Sequence, residues 1–390
     1  MKKYKKQILR KGFIGIANHD ALHSNVKKWR TFFTSSSFFS HLNTPSISII
    51  SKDNGFTDLY ITDSWGIIKN NEDDPDTSER ILNAKRKNIP VIAFFGGSTL
   101  MGVGCSSPEF TIPSIVEKEF KAIYGTELVC VNHGVAGWYC AEQFHYLLHH
   151  MPYEPDYVVF YDGWNCLWNL YNGYLTNTKG NITWKKGTSL RHLEYDLLHS
   201  KMFDVGFLSK RASVIGMNKL LDKIAHLVKS NLWLKFWNSL ALKYFPIKRI
   251  NPISGFHNNA LSETARDEIM NLVAAEYIRI HSLTKTICES RKVKFIHYLQ
   301  PILETTTREL NDKEKMLLTI GVKMGNPEIF ALFPDFIKKV GWPIELVDLS
   351  KAFNDTVEDI FVNDGHLNKM GNAHVAKKII TDLHLKLKSN

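Results

Sequence analysis

Long apolar runs are missing from this 390-residue sequence. No stretch approaches the roughly 18–20 apolar residues that a membrane-spanning helix needs. The start of the chain is basic, with Lys2-Lys3, Lys5-Lys6 and Arg10-Lys11, but it carries no apolar segment of signal-peptide type. A cytoplasmic protein is the expectation. Cysteine is scarce: the five are Cys105, Cys130, Cys140, Cys166 and Cys288, an odd number without a CxxC pair. This argues against a disulfide framework and against a structural zinc site, and fits reduced thiols. Also lacking are a GxGxxG dinucleotide fingerprint, a phosphate loop with GK before Ser or Thr, HExxH order, zinc-finger spacing and an aromatic RNA-binding signature. Internal repeats and low-complexity tracts are absent.

The rest of the composition is that of a globular protein, 44% hydrophobic and 23% charged, with chain enough for one large core or two modest ones. Nine Trp within a 12% aromatic content either fill a core or line a site. The formal net charge of +10 admits nucleic acid, an anionic membrane surface or an acidic substrate as partner. Lys and Arg are scattered after the first eleven residues, so no nucleic-acid partner is expected.

Residues 1–88 are polar, aromatic-rich and irregular, and are read as an N-terminal extension packing on the core. Within them, Asp73 to Lys87 has the look of a solvated connector. From residue 89 a rhythm sets in. The apolar runs Val91–Phe95, Leu128–Asn132 and Tyr157–Tyr161 alternate with helical patterns at Ile112–Tyr124 and about Tyr139–His150. The rhythm breaks at about 167–258, where Trp233, Phe236, Trp237, Leu240, Ala241 and Tyr244 recur at helical spacing. This insertion either packs on the body of the protein or forms a cap or a lipid-touching face, with 232–245 as the membrane-contact candidate. A helix over about Ser262–Ser290, strands Lys294–Leu299 and Glu345–Leu349, and a last helix over about Asn368–Leu387 resume the pattern. Continuous apolar strands between helices predict an α/β fold. It would be a three-layer α/β/α sandwich around a mostly parallel, flavodoxin-like five-stranded sheet, with 89–390 forming the main domain.

Four polar or glycine blocks fall at predicted strand ends, the edge where open α/β sheets hold ligands. Gly96-Gly97-Ser98-Thr99 follows the first strand; a serine there is exposed at a sharp turn, and glycines leave backbone N–H groups accessible. Gly137 follows the second strand. Asp162-Gly163-Trp164-Asn165 follows the third, where an Asn side chain could donate to a developing oxyanion. Asn363-Asp364-Gly365-His366 precedes the last helix, and a His beside an Asp could act as a base for Ser98. Taken singly, a glycine turn accounts equally well for the first block and better for the second, and a helix cap accounts for the third. His145 and His149 follow Glu142 at i, i+4 spacing on a predicted helix, where a wet helix face is the plainer reading than a metal site. Asp63-Ser64-Trp65-Gly66 is a minor candidate for the cleft.

Together the four blocks resemble the SGNH (GDSL-like) hydrolase superfamily, over residues 90–166 and 290–385. The Asp162–Asn165 block and Tyr298-Leu299-Gln300-Pro301 are similar to members from bacterial surface-polysaccharide gene clusters. The resemblance implies a serine esterase acting on acyl, first of all acetyl, esters of a carbohydrate. Ser98 would be nucleophile and oxyanion-hole donor, Gly137 and Asn165 further donors, His366 general base and then acid, and Asp364 its orienting carboxylate. Gly97, Asp162 and Trp164 would meet the substrate. No metal or organic cofactor is implied, and the partner is a small-molecule or glycan acyl ester. Two departures stand out. Cys166 replaces the Asp that many members carry after the Asn, and Asn363 occupies the usual Asp place three before the His. Transfer to a sugar hydroxyl, hydrolysis of lipid or thioester acyl chains, and a non-catalytic binding role on the same fold remain alternatives.

Overall fold

The computed structural model describes residues 56–57, 60–61, 63, 67–105, 107–135, 137–150, 153–178, 262–324, 327–363 and 365–388. The chain divides into two units, Met1–Tyr171 with Leu261–Asn390, and Asn172–Ala260. Of the second, only 172–178 is described, so the helical stretches expected at 232–245 and elsewhere in the insertion lie outside the described residues.

Five strands form the main sheet of the first unit: β1 (Val91–Gly96), β2 (Val129–Gly134), β3 (Tyr157–Asp162), β4 (Lys294–Leu299) and β5 (Leu346–Asp348). Their order is β2-β1-β3-β4-β5 and every neighbouring pair is parallel. Among the described residues the α-helices are α1 (Thr77–Arg86), α2 (Ser98–Met101), α3 (Ile112–Tyr124), α4 (Cys140–His150), α5 (Trp164–Thr178), α6 (Glu263–Ser290), α7 (Asp312–Met324), α8 (Pro327–Gly341) and α9 (Lys369–Lys388).

Strand alternation sorts the core into two layers. Ile92, Phe94, Val159 and Tyr161 point to one face, where α3 packs through Val116 and Phe120 and α9 through Val375, Ile379 and Leu383. Ala93, Phe95, Val158 and Phe160 point to the other, against Tyr146 and Leu147 of α4 and Cys288 of α6. With both faces covered, β1 and β3 bury every residue, which is why their sequences read as unbroken apolar runs. The result is the expected three-layer α/β/α sandwich, with an all-parallel sheet among the described residues.

One local expectation needs correcting. The stretch up to Lys87 is no solvated connector: Thr77–Arg86 is helical and buries Ile81 and Ala84 against Ile67, Val91 and Val131. Its apolar stripe is only one residue per turn wide, so mixed charge hides it in the sequence. Tertiary contacts hold it. Buried Asp63 accepts the Thr77 N–H at 2.9 Å, and Arg80 reaches Glu117 of α3 at 2.6 Å. Beside it, Ile68 bridges antiparallel to Asn132, which covers the free edge of β2. No helix among the described residues is long and apolar enough to cross a membrane.

Candidate active site

The carboxyl ends of β1, β2 and β3 lie side by side, so the residues that follow them share one edge of the sheet. After β1 the chain turns at Gly97 directly into α2, whose first residue is Ser98. In a first helical turn the backbone N–H groups lack intrahelical acceptors. After β3, Gly163 adopts φ +146° and α5 begins at Trp164.

The fourth block comes from the other end of the chain. Residues 361–367 form a closed loop, with a bridge between Phe361 and Leu367 and a Val362 N–H donated to the His366 carbonyl at 2.9 Å. Thr99 of α2 donates to the Gly365 carbonyl at 2.8 Å and ties this loop to the serine turn. His366 Nε2 then lies 2.7 Å from Ser98 Oγ, although the two residues are 268 apart in the chain.

Hydrogen bonding fixes the direction of this contact. Asn363 Oδ1 accepts the backbone N–H groups of Gly365 at 3.0 Å and His366 at 2.8 Å. An atom that accepts two N–H donors is the carbonyl oxygen of the amide, not its NH₂. The same oxygen lies 2.9 Å from His366 Nδ1, which must therefore carry the proton. That leaves Nε2 with its lone pair toward Ser98, as a general base requires. Burial pushes His366 down to about 4, so the imidazole is neutral at physiological pH. Asn363 is buried, whereas Ser98, Asn165, Gly137 and His366 are half-buried, open enough to meet a ligand.

Asn165 Nδ2 donates one hydrogen to the Trp138 carbonyl at 2.9 Å and has a second to offer. The same amide nitrogen fills the space where a side chain on residue 97 would begin, which only glycine allows. Gly137, next to Trp138, stands in the turn after β2 at φ +79°. Ser98, Gly97, Asn165 and His366 thus converge, and Trp138 brings the Gly137 turn alongside.

Asp364 lies outside the described residues, and Asn363 is what contacts the imidazole. Asp162 is 1% exposed, so its carboxylate faces the interior and not a substrate surface. Its Oδ1 accepts from Tyr277 Oη and from His297 Nε2, both at 2.9 Å, and His297 Nδ1 lies 3.0 Å from His281 Nδ1. Burial, then the neighbouring His297, pushes His281 down. Trp164 stacks on Trp168 with ring centroids 5.4 Å apart, and its indole lies against Gly365. Cys166 is buried and its Sγ accepts the Cys140 N–H at 3.0 Å, an internal position with no opening to the site. Sequence reasoning gave Thr99 no role of its own and missed Trp138, Tyr277, His281 and His297. They act through contacts between elements, for which a single sequence carries no signal. Among the described residues no group of His, Cys, Asp and Glu could hold a metal ion.

No protein-family model matches the chain, and no curated protein does. Solved structures do. LAE5, an alpha/beta hydrolase enzyme from the metagenome of Lake Arreo, Spain, is 12% identical over 75% of this chain and 94% of its own, with a TM-score of 0.33. A two-domain esterase active on acetylated mannans is 11% identical over 80% of this chain and 54% of its own, with a TM-score of 0.35. Axe2, an acetylxylan esterase from Geobacillus stearothermophilus, is 11% identical over 75% of this chain and 93% of its own, with a TM-score of 0.34.

Proposed function

We propose that this protein is a serine esterase of SGNH type, cleaving a small acyl ester of a carbohydrate. The observation that carries the reading is the 2.7 Å contact from Ser98 Oγ to His366 Nε2, with Asn363 holding the proton on the opposite nitrogen. The Ser98 hydroxyl proton passes to His366 Nε2 as Oγ attacks the acyl carbon. The carbonyl oxygen becomes an oxyanion, met by the backbone N–H of Ser98, the backbone N–H of Gly137 and the second amide hydrogen of Asn165. His366 returns the proton to the departing alcohol oxygen and leaves an acyl-serine. Water then attacks that ester. His366 takes a proton from the water and gives it to Ser98 Oγ as the acid leaves.

A neutral amide behind the base has a consequence. Asn363 fixes the tautomer but lends no negative charge to the imidazolium that forms, so the backbone donors carry more of the stabilisation. The carbohydrate alcohol rests on the likeness of the Asp162–Asn165 and Tyr298–Pro301 segments to members from surface-polysaccharide clusters, and the net charge of +10 suits an acidic glycan. The test is mass spectrometry of protein treated with a fluorophosphonate, beside p-nitrophenyl acetate hydrolysis. The adduct is expected on Ser98. Ser98→Ala and His366→Ala are expected to lose at least about 10⁴-fold in kcat/KM. A wild type that neither labels at Ser98 nor hydrolyses esters points instead to a binding protein.

A further inference from the structure

The oxyanion donor proposed at Asn165 stands two residues after Gly163, which turns at φ +146°. Glycine is the residue least able to fix its own backbone, so the turn is held by its neighbours. Before it, Asp162 ends β3 and, by strand alternation, points with Val158 and Phe160 to the face covered by α4 and α6. Tyr277 of α6 donates its hydroxyl to Asp162 Oδ1 at 2.9 Å, and His297 Nε2 of β4 lies 2.9 Å from that oxygen and from Tyr277 Oη. The other carboxylate oxygen, Oδ2, has no hydrogen-bond partner among the described residues, so these two donors orient the carboxylate. Tyr277 and His297 are fully buried. Burial, then the Asp162 charge, pushes the Tyr277 hydroxyl well above its usual range, so it keeps its proton for this bond. His281 Nδ1, 3.0 Å from His297 Nδ1, holds the far side of the imidazole. The Asp162 carbonyl accepts the Gln300 N–H at 2.8 Å, which fixes the main chain as well. After the turn, Cys166 Sγ accepts the Cys140 N–H at 3.0 Å. Asn165 therefore stands between two anchored residues.

We infer that Tyr277 and His297 are positioning residues of the esterase: by orienting the Asp162 carboxylate they hold Asn165 where its free amide hydrogen meets the oxyanion. The inference rests on the esterase reading above and adds two residues to its site. Asn165 gives one amide hydrogen to the Trp138 carbonyl and has a single one left for the substrate, so its placement has little slack. A buried carboxylate that loses one of two donors turns toward whatever donor it can reach. The adjoining glycine turn offers no resistance to that movement and passes it on to residue 165. Neither Tyr277 nor His297 touches the reacting atoms. Their effect runs through Asn165, and that is what separates positioning from general support of the fold.

The test is a double-mutant cycle on the full-length protein, read as kcat and KM for p-nitrophenyl acetate, with circular dichroism to confirm folding. Tyr277→Phe removes a single oxygen atom and keeps the ring. It is expected to lower kcat about tenfold with KM nearly unchanged. Asn165→Ala is expected to lower kcat about 10²–10³-fold. Placed in the Asn165→Ala background, Tyr277→Phe should cost less than about twofold more, because the donor it positions is gone. His297→Leu serves as the second variant should Tyr277→Phe fail to fold. His297→Gln, whose amide can present a donor where Nε2 stands, should recover most of the activity that His297→Leu loses. Folded variants with unchanged kcat overturn the inference. So does a change mainly in KM, or a loss of the same factor in both backgrounds, which would make the buried cluster a support of the fold alone. These results leave the esterase reading intact, because hydrolysis would still depend on Ser98. Absence of Ser98-dependent hydrolysis in the wild type overturns both readings together.

Discussion

Asn363 is the side chain that contacts Nδ1 of the proposed base. Its carbonyl oxygen is oriented by two backbone N–H groups, so it can only accept from His366, and it does so without charge. With the imidazole pushed down to about 4 by burial alone, the base stays deprotonated well into the acid range. The free-enzyme kcat/KM is therefore expected to hold as pH falls through neutrality and to drop near pH 4. Replacing Asn363 by Asp places a carboxylate against the imidazole and favours its cation. The pKa of His366 rises, and the acid limb moves up by about one to three pH units. A limb that stays in place in Asn363→Asp would mean that residue 363 is not what the imidazole feels. Gly97 gives a second prediction of the same kind. A methyl group there meets the Asn165 amide, so Gly97→Ala should lower kcat by about 10²–10³-fold with little change in KM, the signature of a lost oxyanion donor. A change mainly in KM would place residue 97 against the ground-state substrate instead.

At the level of elements, the turns after the strands present the residues of the proposed site, and helices pack on both faces of the sheet behind them. Helix α1 illustrates how little sequence signal such support needs. Ile81 is 6% exposed and contributes to a small cluster with Ile67, Val91 and Val131. Ile81→Ala is expected to lower unfolding stability by about 2–4 kcal/mol, measured by urea denaturation, because the cavity lies against Val91 of β1 and Val131 of β2. A loss under ~0.5 kcal/mol would show the helix to be a loosely attached appendage. Behind β3, buried Asp162 is held by His297 and Tyr277. Removing the imidazole in His297→Ala leaves a buried carboxylate with one donor fewer, at an expected cost of about 3–5 kcal/mol.

For the molecule as a whole, the site exists only when the fold is complete. Ser98 follows the second strand in spatial order, His366 precedes the last helix, and 268 residues separate them. Loss of p-nitrophenyl acetate hydrolysis in urea is thus expected to coincide with loss of helical circular dichroism. Activity that disappears at markedly lower urea would show that the 361–367 loop opens before the sheet unfolds.

The sequence by itself made the strands legible, because a sheet covered on both faces demands continuous apolar runs such as Val91–Phe95 and Tyr157–Tyr161. It also located the residues of the proposed site, since Gly97-Ser98, Gly137 and Asn165 follow those strands. Tertiary structure alone decided the partners. That Asn363 engages His366, that Asp162 turns inward to Tyr277 and His297, and that Thr99 fastens the two ends of the site depend on distances across elements, which no local pattern encodes. The same holds for α1. Its helical state comes from packing against the sheet and from the Asp63 contact, because its charged sequence offers only two buried apolar side chains of its own.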